Sequence, residues 1–164
     1  MKFNIYVDGS YYTQDPSKVY GAFVLLKEDQ PILAIRYESE DKSAVSMRNV
    51  GGELLASKGA IISAAQIINT QCDRDIVHDV KIYYDYKGVF EFVNPVRPWK
   101  TNNAATTAYA RVINKIQKDT LNMRLSFEKV KAHTGDRWNE VVDNLAKGYV
   151  SSEIENCYKG TFKI

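Results

Sequence analysis

The chain has 164 residues, about the size of one domain, and 45% of its residues are hydrophobic, which is enough for a sizeable core. The formal net charge of +2 gives no global indication of a nucleic-acid partner, and two distant cysteines argue against a disulfide framework. No apolar run approaches 18 residues and no charged leader precedes an apolar segment, so we expect a cytoplasmic protein without membrane association.

Three strand-like runs open the chain, separated by turn-forming residues: 3–12, 19–26 and 32–37. They are predicted to form an antiparallel meander. Asp8 lies near the end of the first run, directly before a glycine. Residues 41–49 are polar and lack clear periodicity, so a loop is predicted there.

The middle of the chain alternates between helical and strand patterns. Glu53 follows two glycines and opens a segment with helical apolar spacing, which places its carboxylate in the first turn of a predicted helix. Asp85 directly follows a β-rich run at 80–84. A second series of apolar residues at helical spacing covers 105–116. A short apolar stretch at 89–93 lies between them.

The last part of the chain is predicted to hold a strand and a helix. Residues 124–130 alternate as a strand does, and Asp136 is a good N-cap for a helix over 137–149 that carries Asp143. The order β-β-β-α-β-α-β-α predicts an α/β fold, with a mixed sheet and helices on its faces. For residues 151–164, the sequence leaves two alternatives, an edge strand and a disordered tail.

Four acids stand at predicted strand ends or on predicted helices: Asp8, Glu53, Asp85 and Asp143. One such residue alone is commonly a turn former or a cap. Carboxylates that share a cleft repel each other and stay ionised only if cations neutralise them. Oxygen ligands of this kind select Mg²⁺ or Mn²⁺ over zinc. Two such ions roughly 3.5–4 Å apart can activate a water and stabilise a leaving oxygen, so the pattern predicts phosphoryl transfer.

Basic residues are concentrated in the middle of the chain. Seven basic residues against two acids occur between residues 81 and 118, at Lys81, Lys87, Arg97, Lys100, Arg111, Lys115 and Lys118. A charge run of this kind is commonly a solvated helix face. Because this one includes Asp85 and Trp99, we favour a phosphate-contacting patch beside the acids.

Residues 129–147 resemble the C-terminal signature of the type 1 ribonuclease H family, in which a His-x-Gly loop precedes an Asn-Glu-x-x-Asp-x-Leu-Ala helix. Three earlier blocks agree with that family in the same order, at 6–10, 48–56 and 82–85. The resemblance implies the ribonuclease H-like fold, with a five-stranded mixed sheet of three antiparallel and then two parallel strands. It also implies a catalytic domain at 1–150, followed by a tail at 151–164.

The resemblance also implies an activity: a metal-dependent endonuclease that cuts the RNA strand of an RNA–DNA hybrid and leaves 5′-phosphate and 3′-hydroxyl ends. By position, the metal-binding acids are Asp8, Glu53, Asp85 and Asp143, with Asp8 touching both of two Mg²⁺ ions, for which Mn²⁺ can substitute. His133 lies on a glycine-containing loop and matches a family histidine that shuttles protons. The expected partner is the hybrid, bound by a monomer.

Substrate contacts are predicted from the same match and from the basic cluster, at Ser10, Gln14, Asn49, Lys87, Trp99 and Lys100. The chain departs from the common pattern at several positions. Tyr11 and Tyr12 are bulkier than the residues often found there, and Tyr86-Lys87 replaces a common Ser-Gln. The segment 99–105 is too short for the basic handle that some members insert. The chain is closest to a bacterial subgroup that can carry a separate N-terminal hybrid-binding domain, and no such domain is expected here.

Two other functions are alternatives for a chain with these motifs. A non-catalytic module of the same fold is disfavoured, because it has no need to retain four mutually repelling carboxylates. Exonucleases and resolvases of this fold are the other alternative. Such exonucleases typically carry Asp-x-Glu on the first strand, whereas this chain has Asp8-Gly9-Ser10, and the spacing from His133 to Asp143 also favours ribonuclease H.

Overall fold

The computed structural model describes residues 1–85, 103–130 and 136–164. The elements in these ranges are, in chain order, β1 (Lys2–Ser10), β2 (Val19–Lys27), β3 (Gln30–Ser39), α1 (Lys42–Ser46), α2 (Asn49–Gln71), β4 (His78–Tyr84), α3 (Ala104–Asp119), β5 (Met123–Lys129), α4 (Arg137–Ala146), a 3₁₀ turn (Ser152–Ile154) and β6 (Tyr158–Lys163). The predicted apolar stretch at 89–93 lies outside the described residues.

The described strands form one mixed sheet in the order β5-β4-β1-β2-β3-β6. The first three strands pair antiparallel, and β4 and β5 run parallel to β1, as predicted. The prediction of five strands was wrong, because β6 pairs in parallel with β3 and adds a sixth. Tyr6 of β1 lies opposite Tyr83 of β4, so Asp8 and Asp85, each two residues further on, come together at the same edge of the sheet.

Helices cover both faces of the sheet, which is why several strands are buried on both sides. On one face, α2 and α3 pack on a core that includes Phe3, Ile5 and Val7 of β1. On the other face, α4 packs on Tyr6 and on alternate residues of β2. Successive strand residues point to opposite faces, so one short strand supplies both cores.

The prediction of a loop at 41–49 was wrong. The Asp41 side chain accepts a hydrogen bond from the Ala44 backbone N–H and caps the short helix α1. Helix α2 then begins at Asn49 rather than at Glu53, so Glu53 lies in the second helical turn and not in the first. Two consecutive glycines, Gly51-Gly52, were interpreted as a helix boundary, but they belong to the first turn of α2.

Two predicted elements were too long. β1 ends at Ser10 rather than at residue 12. Helix α4 ends at Ala146 rather than at residue 149, because Gly148 has a φ of +98°, a left-handed conformation that commonly terminates helices. Among the described residues, no helix is long and apolar enough to cross a membrane.

The segment after residue 151 packs on the domain. Ile154 is 0% exposed in the core beneath α4, and the Ala34 backbone N–H donates to the Cys157 carbonyl. Ile154→Ala should therefore lower the free energy of unfolding by about 2–4 kcal/mol, measured by urea denaturation. Ile164→Ala, at a side chain 60% exposed, should change it by less than about 0.5 kcal/mol. If Ile154→Ala lowered the free energy of unfolding as little as Ile164→Ala does, the segment after residue 151 would unfold separately from the rest of the domain.

Candidate active site

Four elements bring the four predicted acids to one edge of the sheet: β1 carries Asp8, α2 carries Glu53, Asp85 follows β4 and α4 carries Asp143. The Asp85 backbone N–H donates to Glu53 Oε1 at 3.0 Å. The Asp8 carboxyl is hydrogen-bonded to the Asp143 carboxyl and interacts electrostatically with Asp85. We refer to these four residues as the acid cluster; Asp8 interacts with Asp143 and Asp85, and Glu53 joins them through Asp85.

The electrostatics of the acid cluster centre on Asp8. Its pKa is raised from 3.8 to about 7, first by burial, then by the hydrogen bond with Asp143, and further by the negative charges of Asp143 and Asp85. The Gly9 backbone N–H donates to Asp8 Oδ1 at 2.9 Å and opposes that rise. Because two carboxylates can hydrogen-bond to each other only through a proton, the metal-free cluster holds a proton close to neutral pH.

Glycines allow α2 to lie directly against the sheet, and this brings Glu53 to Asp8. A Cβ on Gly52 would lie 1.9 Å from the Tyr20 carbonyl oxygen, and a Cβ on Gly9 would lie 1.9 Å from the Asn49 carbonyl oxygen. No side chain fits at either crossing. Glu53 itself is 4% exposed, held between the helix and the strand ends.

Helix α4, which carries Asp143, is held at both ends. Asp136 caps its N-terminus by accepting hydrogen bonds from two backbone N–H groups, and this confirms the predicted cap. At the other end, Arg36 Nε donates to the Ala146 carbonyl at 3.2 Å and the Tyr12 hydroxyl donates to the Lys147 carbonyl at 2.9 Å. The sequence did not indicate these roles of Arg36 and Tyr12, because their partners lie more than 100 residues away.

Lys147 Nζ lies 3.2 Å from Asp143 Oδ2, one helical turn away. Both side chains are about half exposed, so the pair contributes only about 0.5 kcal/mol. Lys147 competes with any added cation for Asp143, so Lys147→Met should tighten Mg²⁺ binding roughly two- to threefold in calorimetric titration. Lys118→Met makes the same charge change beside the start of β5, at the opposite end of the sheet, and should leave the affinity unchanged. Equal affinities of Lys147→Met and wild type would contradict this role.

The acid cluster fits a hard divalent cation by its chemistry, since it offers only carboxylate oxygens. Its charges are compensated by a proton on Asp8 and by Lys147. Within the described ranges, no three His, Cys, Asp or Glu side chains are gathered closely enough to form a ready-made metal site. Instead, the Asp8 carboxyl is hydrogen-bonded to the Asp143 carboxyl, and the Glu53 carboxylate accepts from the Asp85 backbone N–H. Binding a cation would therefore require the carboxylates to turn toward a common point.

The predicted substrate contacts are spread around the acid cluster. Gln14 and Asn49 are exposed, and Asn49 opens α2 beside Gly9. Ser10 is only 6% exposed, which disfavours contact through its side chain. The other predicted site residues lie outside the described ranges: Lys87, Trp99, Lys100 and His133.

Arg48 is a further candidate for a substrate contact, and the sequence did not indicate it. It precedes Asn49, is exposed, and has a φ of +55°, which non-glycine residues seldom adopt. Its guanidinium lies 5.7 Å from the Tyr11 ring centroid, so it is close to the residues that follow Asp8. Unusual backbone conformations of this kind cluster at functional sites.

Two solved structures that share this architecture are ribonucleases H or domains of them. RNase H1 from the halophilic archaeon Halobacterium salinarum NRC-1 aligns with a TM-score of 0.62 and 15% identity, over 91% of this chain and 100% of that one. The N-terminal RNase H domain of rv2228c from Mycobacterium tuberculosis aligns with a TM-score of 0.62 and 12% identity, over 89% and 94%. The fold is therefore that of ribonuclease H, as predicted.

The RNase H family model matches residues 1–151, and the chain belongs to the ribonuclease H family. Ribonuclease H from Vibrio campbellii is 24% identical over 153 residues, covering 92% of this chain and 91% of that protein. Ribonuclease H from Wolbachia pipientis wMel is 21% identical over 145 residues, covering 87% and 91%. Family and fold together identify a ribonuclease H enzyme, and this family generally depends on divalent metals.

Proposed function

We propose that this protein is an endonuclease that hydrolyses the RNA strand of RNA–DNA hybrids, leaving 5′-phosphate and 3′-hydroxyl ends. The observation that carries the proposal is the convergence of Asp8, Glu53, Asp85 and Asp143 at one edge of the sheet, where Asp8 retains a proton that a cation can replace. The proposal includes a monomer that acts in the cytoplasm without membrane association.

Two Mg²⁺ ions, or Mn²⁺ in their place, would be held by the acid cluster. When bound, such ions supply a nucleophilic water at neutral pH and neutralise charge on the phosphodiester. The Asp8 carboxyl is hydrogen-bonded to Asp143, and the charge of the nearby Asp85 raises its pKa. Asp8 would therefore be well placed to be the ligand that both ions share. The backbone N–H of Asp85 donates to Glu53 Oε1 and orients the Glu53 carboxylate beside Asp85, where it would help to hold an ion.

The remaining residues would hold the hybrid and move protons. Gln14 and Asn49 are exposed polar residues, Gln14 in the turn after β1 and Asn49 at the start of α2 beside Gly9, and both are suited to hydrogen bonds with 2′-hydroxyls or backbone. Within our proposal, Lys87, Lys100 and Trp99 contribute charge and stacking. His133 would exchange a proton with the attacking water or the leaving oxygen.

A substrate panel tests the proposal. Labelled RNA–DNA hybrid is incubated with the protein in Mg²⁺, Mn²⁺ or EDTA, beside matched double-stranded DNA, double-stranded RNA and single-stranded RNA, and the ends of the products are determined. We expect metal-dependent cutting of the hybrid's RNA strand alone, with 5′-phosphate and 3′-hydroxyl ends. Binding without cutting would support a scaffold instead, and preferred cutting of another substrate would support a different nuclease of this fold.

A further inference from the structure

Tyr6 makes a buried contact that the catalytic proposal does not use. It is 8% exposed on the α4 side of the sheet, and its ring stacks on Tyr83 with 4.5 Å between centroids and 7° between planes. Its hydroxyl is hydrogen-bonded to the carboxylate of Asp136, the N-cap of α4. The contact therefore joins β1, which carries Asp8, to α4, which carries Asp143.

The spacing of these residues gives the contact its importance. Tyr6 and Asp8 are two residues apart on a strand, so both side chains point toward α4. Asp136 and Asp143 are seven residues apart, about two helical turns, so both lie on the face of α4 that meets β1. Strand and helix thus meet through two polar contacts, Tyr6 with Asp136 and Asp8 with Asp143.

Within the described ranges, the N-terminal end of α4 is packed through Trp138 on the core that contains Tyr6, and its polar contacts to the rest of the domain include the Tyr6 hydroxyl and one ion pair. Asp136 caps α4 internally, through the backbone N–H groups of Trp138 and Asn139 at 3.0 and 3.3 Å. The neighbouring ion pair of Arg137 with Glu153 is long, at 3.9 Å, and involves a largely exposed arginine. A hydrogen bond from a buried tyrosine to a partly buried carboxylate constrains position more strongly than an exposed ion pair does.

We propose that Tyr6 is a positioning residue: through Asp136 its hydroxyl fixes the N-terminal end of α4 against β1 and thereby sets Asp143 relative to Asp8. The closer these two carboxylates are held, the less they must reorganise to bind one cation. This inference rests on the proposed function for the identity of the ligand as a divalent metal. The positioning itself is a property of the metal-free protein.

Tyr6→Phe in the full chain tests the inference, because it keeps the ring and its stacking and removes the hydroxyl. We expect the Kd for Mn²⁺, measured by calorimetric titration, to rise about three- to tenfold. The kcat on hybrid should fall by a similar factor, with KM unchanged, because α4 holds a metal ligand and not the substrate. Tyr37→Phe is the control, since it removes a hydroxyl on β3 that lies against Gly59 of α2 and should leave the Kd unchanged.

A double-mutant cycle shows whether Tyr6 acts through Asp136. Asp136→Asn keeps one amide oxygen, whose two lone pairs accept from the Trp138 and Asn139 N–H groups, so the cap should remain while the Tyr6 hydroxyl loses its carboxylate acceptor, and the Kd should rise about as much as it does in Tyr6→Phe. Asp136→Ala should weaken binding, and adding Tyr6→Phe to it should have no further effect. A wild-type Kd in Tyr6→Phe, or effects that add in full, would overturn the inference.

Amide hydrogen exchange in the metal-free protein separates this inference from the proposed function. Exchange at Trp138 and Asn139 should speed up in Tyr6→Phe and stay unchanged in Tyr37→Phe. Unchanged exchange in Tyr6→Phe would overturn the positioning role even if the wild type binds metal. Conversely, wild-type protein that binds no divalent cation would overturn the proposed function, while the exchange result would still decide the role of Tyr6.

Discussion

Asp8→Asn should abolish cleavage of the hybrid and, in the absence of metal, make the protein more stable at pH 8. The folded protein raises the pKa of Asp8 from 3.8 to about 7, so folding favours the protonated carboxyl. The contribution of this group to stability is therefore fully present below pH 3.8 and is lost as the pH rises through about 7. Asparagine resembles the protonated form at every pH and avoids that loss.

The size of this stability gain follows from the pKa difference. A shift of about three pKa units corresponds to about 4 kcal/mol, so we expect Asp8→Asn to gain about 2–4 kcal/mol at pH 8 and almost nothing at pH 4. Urea denaturation in EDTA at both pH values measures it. Mg²⁺ should stabilise the wild type and not the variant. A variant less stable than wild type at pH 8 would show that folding does not raise the pKa of Asp8.

Gly52→Ala should destabilise the protein by about 3–5 kcal/mol and greatly reduce cleavage. The added Cβ would meet the Tyr20 carbonyl oxygen at 1.9 Å and the Tyr20 carbonyl carbon at 2.8 Å, and both are backbone atoms of β2. Helix α2 must therefore move away from the sheet. Because Glu53 is the next residue, its carboxylate moves away from Asp85 as well. Urea denaturation and a cleavage assay measure the two effects.

Gly59→Ala is the matched control, since it makes the same change on α2 two turns further on. Its Cβ would meet the Tyr37 hydroxyl at 2.1 Å and two Tyr37 ring carbons at 2.6 and 2.8 Å, which are side-chain atoms that can turn aside, whereas the atoms at Gly52 are backbone. Moving the ring costs stability, but alanine favours the helix by about 1 kcal/mol over glycine, so the net loss should be about 1–2 kcal/mol, smaller than that of Gly52→Ala. If both variants lost the same stability, the close approach at Gly52 would not be what limits this crossing.

The first five strands could be predicted because they carry strong apolar patterns bounded by turn residues, and the resemblance to the ribonuclease H family implied how they pair. Prediction from the sequence failed for elements whose structure depends on tertiary contacts. Gly51-Gly52 has the composition of a helix boundary, yet the pair lies within α2 because only glycine fits against Tyr20 there. β6 has a weak pattern, and its pairing with β3 depends on an edge that only the folded sheet provides.

The members of the acid cluster could be predicted because Asp8 and Asp85 end or follow apolar strand patterns, and because the sequence blocks around all four acids resemble the ribonuclease H family. The contacts that arrange the acid cluster could not be predicted from the sequence. The hydrogen bond between Tyr6 and Asp136 and the hydrogen bond from Arg36 to Ala146 each join residues more than 100 positions apart. No local pattern indicates that such residues meet.

Single-turnover cleavage of a labelled hybrid by the conservative variants of the acid cluster tests the central claim most directly: Asp8→Asn, Glu53→Gln, Asp85→Asn and Asp143→Asn. Asp79→Asn serves as the control, because Asp79 pairs with Arg124 at the start of β4, away from the acid cluster. In Mg²⁺ we expect the four variants to lose cleavage and the control to retain the wild-type rate. A wild-type rate in Asp8→Asn, shown to be free of contaminating nuclease, would contradict the assignment of these carboxylates as the metal site.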